Sequence, residues 1–169
     1  MEKKPFTDLR AWLQHLKRTD RLAVMKPGIA LKHELAAISK CLDGKKAAYF
    51  PHPDGHEMPV VSGFMSSRDW IAEAMGVDNA ELLKVFRHAA ENPLPWQEVD
   101  SGTAACQQVV HTDIDLHALL PIPTHSEHDN GPYLTAGMVI ARNPVTGIQN
   151  VSIHRIQVHG KDRMALLML

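Results

Sequence analysis

The chain has 169 residues, 44% of them hydrophobic and 22% charged, with a formal net charge of −1. This size allows one domain, or one domain and part of another, with roughly two-thirds of the unfolded surface buried. Near-neutral charge with no basic run longer than pairs such as Lys45-Lys46 excludes a general attraction to nucleic acid; two distant cysteines, Cys41 and Cys106, exclude a disulfide framework and suit a reducing cytoplasm; and no apolar stretch approaches the ~20 residues of a membrane span.

The elements alternate from the start. Thr7 is placed to cap a helix running to about Arg18, with Leu9, Trp12, Leu13 and Leu16 on one face. Arg21 to Lys26 reads as a short strand, stopped by Pro27-Gly28. A second helix is expected from Leu31 to Leu42, ended by Gly44. Ala47–Phe50 and Met58–Ser62 read as strands, with Asp54-Gly55 as a turn between them. Ser66, three residues before Asp69, suits the start of a helix through Met75. Asn79 is placed to cap another helix to about Glu91, with Leu82, Leu83, Phe86 and Ala90 inward. Asn92-Pro-Leu-Pro-Trp96 cannot continue that helix.

The texture then changes. Cys106–His111, Leu134–Arg142, Gln149–His159 and Arg163–Leu169 read as strands, and turns at 143–147 and 160–162 make the last three a meander. The resulting fold class is mixed α/β: an α/β domain over 1–95, a linker over 96–105, and the start of a β-rich domain over 106–169. The final strand, Met164-Ala-Leu-Leu-Met-Leu169, ends apolar with no polar stop, which leads to the expectation of a cut-off domain with a sticky edge.

Most candidate chemistry has an ordinary reading beside it. His125-Ser-Glu-His128 lies among Pro121, Pro123 and Gly131, so a metal-binding helical turn is not expected. His52 and His56 flank a turn and lack zinc-site spacing. Cys106 has no general base nearby in sequence. Asp113 and Asp115 form a carboxylate pair that reads better as a turn or helix start. No glycine-rich nucleotide motif is present. In Gln149–Gln157, polar Asn150, Ser152 and His154 alternate with Val151 and Ile153. That pattern fits a sheet with one solvated face. It also fits an amide, a hydroxyl and an imidazole that bind a phosphate or cation, beside a guanidinium suited to a carboxylate.

The spacing Asn150-x-Ser152-x-x-Arg155 resembles the hallmark of the UbiD-like decarboxylases, and Thr135 stands fifteen positions before the asparagine, as in that family. Further stretches agree in order, among them Asp8-Leu-Arg-Ala-Trp-Leu13, Pro59-Val-Val-Ser-Gly63, Asp115-Leu-His-Ala-Leu-Leu-Pro-Ile-Pro123 and Gly131-Pro-Tyr-Leu-Thr135. The resemblance implies an N-terminal α/β domain followed by the first strands of a flavin-reductase-like split β-barrel. It implies reversible, non-oxidative decarboxylation of aromatic, heteroaromatic or α,β-unsaturated carboxylic acids with prenylated FMN. A flavin prenyltransferase would supply the cofactor, and the protein would be a cytoplasmic homo-oligomer.

Residue by residue, the resemblance implies Asn150 as a ligand for Mn²⁺ or Mg²⁺, with K⁺ as a further ion. It implies Thr135, Ser152, Ile153 and Arg155 as cofactor contacts, and Arg155 as the catalytic arginine on the substrate carboxylate. The family's remaining metal ligands and its catalytic glutamates would follow residue 169, so the isolated chain is expected to be inactive and to hold metal and cofactor weakly or not at all. Asn150 and Arg155 are an odd number of residues apart, so a bulge or strong twist is needed to bring both to one site. Two other readings stay open: a non-catalytic assembly or binding module, and a small split-barrel flavoprotein using ordinary FMN.

Overall fold

The computed structural model describes residues 4–95 and 97–167. It is a mixed α/β structure with two three-stranded sheets. The first sheet comes from the alternating part of the chain. Helix α1 (Leu9–Arg18) starts at Asp8, not Thr7, because the Asp8 carboxylate accepts the Ala11 N–H at 2.8 Å. Strand β1 (Leu22–Val24), helix α2 (Glu34–Leu42) and strand β2 (Ala47–Phe50) follow, with β1 and β2 parallel. Strand β3 (Val60–Ser62) then pairs antiparallel with β2. The turn expected at Asp54-Gly55 is present, as a short 3₁₀ turn over Pro53–Gly55.

Strand β2 is central and is covered on both faces, and its sequence is a continuous apolar run. Ala47 packs with Trp12, Leu16, Trp70 and Ala74 on one side. Ala48 and Phe50 pack with Ile29 and Leu35 on the other. The first cluster is edged by an ion pair: Arg21 clamps Glu73 through both nitrogens at 2.5 and 2.9 Å, and His15 contacts the same carboxylate at 2.7 Å.

Two helix starts differ from the sequence expectation. Helix α3 (Arg68–Ala74) is capped by Ser67, whose hydroxyl accepts the Trp70 N–H, not by Ser66. Helix α4 (Leu82–Glu91) begins after Glu81, because Asn79 is taken up by Arg68 and Asp69. The expected inward face of α4 is also wrong in part. Leu82 is buried, but Leu83 and Phe86 are 60% and 61% exposed, and Ala90 is exposed too. Helical spacing identifies an apolar face, but not whether another layer covers it.

The strand expected at Cys106–His111 is absent. Ala105–Gln107 forms a 3₁₀ turn, irregular chain follows, and Val109 and Val110 are each 72% exposed. No neighbouring strand pairs with this segment, so its β-favouring composition has no ladder to join. Asp115 caps the short helix α5 (Leu116–Leu119), which bears out the helix-start reading of that carboxylate.

The second sheet is an antiparallel meander of β4 (Tyr133–Arg142), β5 (Gln149–His159) and β6 (Arg163–Leu166). Met168 and Leu169, expected to extend its last strand, lie outside the described residues, as does Trp96 in the expected linker. The β4–β5 turn is closed by Asn143, whose side chain accepts the N–H groups of Val145 and Thr146. Val158 packs beneath the sheet against Leu116 and Ile122. Thr124 joins the two halves: it accepts the His33 N–H at 2.9 Å and donates to the Leu31 carbonyl at 3.2 Å.

Candidate functional site

Strand β5 carries most of the residues singled out in the sequence, and its pairing divides them. Successive side chains of a strand leave on opposite faces. Asn150, Ser152 and His154 share one face, on which the Ser152 hydroxyl and His154 Nε2 are 2.8 Å apart. Ile153 and Arg155 belong to the other face. Ile153 pairs with Met138, and both are mostly exposed, at 74% and 70%.

The ladder does contain an irregularity, but on β4. Leu134 pairs with Ile156 and Gly137 with His154, so Thr135 and Ala136 together stand opposite Arg155. The extra residue bends β4 and leaves the alternation of β5 intact. Asn150 and Arg155 therefore emerge on opposite faces, and the bulge instead brings Thr135 next to Arg155. Gly137 follows because a Cβ there would lie 2.4 Å from Ile156 Cδ1 and 3.1 Å from the His154 carbonyl oxygen.

Arg155 is held from two sides. Its Nη2 donates to Asp129 Oδ1 at 2.6 Å, and its Cζ lies 4.1 Å from the centre of the Tyr133 ring. The Asp129 side chain is only 13% exposed, that of Arg155 56%. The guanidinium, through its hydrogen bond, holds the Asp129 carboxyl below its ordinary value, and the same bond raises Arg155 further above its own. His125 lies near the pair. Burial lowers its pKa, Asp129 opposes that and Arg155 reinforces it, so the neutral ring is favoured. Among the described residues its buried Nδ1 has no hydrogen-bond partner.

Two clefts meet at Tyr133. One, of about 360 Å³, is bounded by Tyr133, Arg155, Gln157 and Ala165–Leu167. The other, of about 330 Å³, lies between the two sheets and includes Ser62, His125, Tyr133 and Thr135. A larger open groove at Asp54–Met58 holds none of the residues expected to act.

Asp129 and Tyr133 were not foreseen as partners of Arg155. Asp129 is twenty-six residues from Arg155, and no local spacing links them. His52 contacts the His56 carbonyl, and among the described residues no group of three His, Cys, Asp or Glu side chains could hold a metal ion.

A flat, polarised ring system has matching surfaces here: the exposed Ile153 side chain, the Thr135 hydroxyl at the bulge and the Arg155 guanidinium. A divalent cation does not, because Asn150 offers one neutral amide and its strand neighbours add only a hydroxyl and an imidazole.

Comparison with known proteins finds matches over nearly the whole chain. Residues 13–90 match the 3-octaprenyl-4-hydroxybenzoate carboxy-lyase N-terminal domain, and residues 97–169 match the Rift-related domain of the same enzyme family. The chain belongs to the UbiD family of carboxy-lyases. Its fold is similar to the UbiD-class enzyme HmfF from Pelotomaculum thermopropionicum in complex with FMN. The TM-score is 0.89 at 40% identity, covering 95% of this chain and 36% of that one. An evolved dimeric form of the same enzyme, in complex with prenylated FMN, gives 0.89 at 38% identity, covering 100% and 39%. Among curated relatives, anhydromevalonate phosphate decarboxylase of Methanothermobacter thermautotrophicus is 37% identical over 65% of this chain and 25% of its own length. The chain thus spans between a quarter and two-fifths of the length of these proteins.

Proposed function

We propose that this chain forms the N-terminal portion of a prenylated-FMN-dependent decarboxylase acting on small aromatic, heteroaromatic or α,β-unsaturated carboxylic acids. The observation that carries the reading is Arg155: a guanidinium held by Asp129 and Tyr133, half-exposed at a cleft, and directly opposite the Thr135 bulge. Such a group suits a carboxylate, because its planar donors match the two oxygens. When bound, prenylated FMN supplies the electron sink for carbon dioxide loss. The chain's own contribution is to hold and orient. Arg155 would anchor the acid, Ile153 would present an apolar surface to the ring system, and Thr135 would offer a hydroxyl beside them; Ser152, on the opposite face with Asn150, would offer its hydroxyl only to a part of the cofactor that reaches that face. Asn150 would contribute one oxygen to a metal whose other ligands come from elsewhere.

The same reading divides the chain into a domain over 1–95, a linker over 96–105 and the beginning of a split barrel from 106. It places the protein in the cytoplasm, with a flavin prenyltransferase as the source of its cofactor. The 169-residue chain alone would not turn over substrate. The test is carbon dioxide release from furan-2-carboxylate and benzoate after loading with prenylated FMN. The 169-residue chain should give none, and the product of the whole reading frame should be active. In that longer protein Arg155→Lys should lower kcat/KM by about a hundredfold, since a point charge cannot replace the planar fork. Unchanged activity of Arg155→Lys would remove Arg155 from the chemistry.

A further inference from the structure

We infer that Asp129 and Tyr133 are positioning residues for Arg155, fixing which edge of its guanidinium is offered to an incoming carboxylate. The inference rests on the carboxylate-binding reading of Arg155 given above. Three observations carry it. Asp129 Oδ1 occupies Nη2 at 2.6 Å, so that corner is already committed. The Tyr133 ring lies under the guanidinium plane at 4.1 Å, which restricts rotation and tilt. The Arg155 side chain is nevertheless 56% exposed and borders a cleft of about 360 Å³, so its remaining donors stay accessible.

The support is itself anchored. Asp129 Oδ2 accepts the Ser126 N–H at 3.1 Å, and the Asp129 N–H bonds to the Ser126 carbonyl at 3.1 Å. Tyr133 is pinned through its N–H to the Pro123 carbonyl at 3.0 Å and pairs with Gln157 on β5. A carboxylate only 13% exposed, held in a folded turn, is a fixed point and not a mobile surface charge. An arginine side chain left free samples many rotamers, and misplacement by about 1 Å can cost on the order of a hundredfold in rate.

The experiment has two arms. In the first, ¹⁵N spectra of the 169-residue chain report rotation of the Arg155 guanidinium. Slow rotation, with resolved Nη signals, is expected for the native chain and for Asp129→Glu, and fast rotation for Asp129→Asn. Tyr133→Leu should loosen the group while leaving Asp129 in place, and amide dispersion checks that each variant folds. Unchanged slow rotation in both Asp129→Asn and Tyr133→Leu would overturn the positioning role. The second arm uses the cofactor-loaded product of the whole reading frame with furan-2-carboxylate. Asp129→Asn should lower kcat by about ten- to a hundredfold with KM changed less than about threefold, and Asp129→Glu should recover most of the loss. A rise in KM with kcat intact would also overturn it. Absence of turnover by the native enzyme on any of these acids, with the first arm as expected, would sink the decarboxylase reading and leave the Asp129 contact standing.

Discussion

Gly137 shows how closely the second sheet is built around the bulge. An added Cβ would press on Ile156 Cδ1 at 2.4 Å and on the His154 carbonyl oxygen at 3.1 Å. The isoleucine tip can move, but the carbonyl belongs to the strand. Gly137→Ala should therefore destabilise the fold by about 1–3 kcal/mol, read as a lower midpoint in urea. An unchanged midpoint would mean that β4 can slide past the bulge. The sequence showed the glycine in Thr135-Ala-Gly-Met138 without any reason for it, since the clash comes from a strand seventeen residues onward. Arg155 belongs to the same scale. Its guanidinium was legible as a carboxylate binder, while the side chains that hold it were not.

At the scale of elements, strands read more reliably than caps and faces. Gln149–His159 forms over its expected span because two stretches of polar and apolar alternation, 150–154 and 155–159, find partner strands on both sides. Cys106–His111 fails because no neighbouring strand pairs with it. Helix α4 has the right position and a partly wrong orientation: Leu83 and Phe86 point outward as a solvent-facing apolar pair. The replacements Leu83→Lys and Phe86→Ser should leave stability within about 0.5 kcal/mol, since surface changes rarely exceed that. If the chain associates with itself, as its exposed apolar side chains favour, these changes should reduce the mass seen by light scattering at high concentration. A mass independent of both substitutions would assign association to another surface, such as Met138 and Ile153.

Over the whole molecule, the Glu73 cluster gives stability a dependence on pH. Hydrogen bonds from Arg21, opposed by burial and aided by His15, hold the Glu73 carboxyl below its ordinary value of 4.5. A carboxyl with a lowered folded-state pKa binds protons more readily when unfolded. Its contribution is therefore complete above about pH 4.5 and is lost as pH falls through the lower, folded-state value. The side chain is 38% exposed, so solvent screening limits the contribution to about 0.5–1 kcal/mol. Glu73→Gln should be less stable than the native chain at pH 7, and the gap should narrow at pH 3. A gap of equal size at both pH values would show that Arg21 acts there through its packing over Trp12 and Trp70.

Local signals were enough for the order of most elements, the mixed α/β class, the closing meander and the family resemblance. They act over a few residues: helical spacing, strand alternation, turn chemistry and a six-residue motif. The tertiary structure decided which faces are covered, where the bulge falls and what holds Arg155. Those depend on residues far apart in the chain coming together, such as Thr135 opposite Arg155 across the ladder and Asp129 bonded to Arg155. The odd spacing of Asn150 and Arg155 called for a bulge or a strong twist to bring both to one site. The bulge exists, but on the partner strand, so β5 keeps its alternation and the two residues stay on opposite faces.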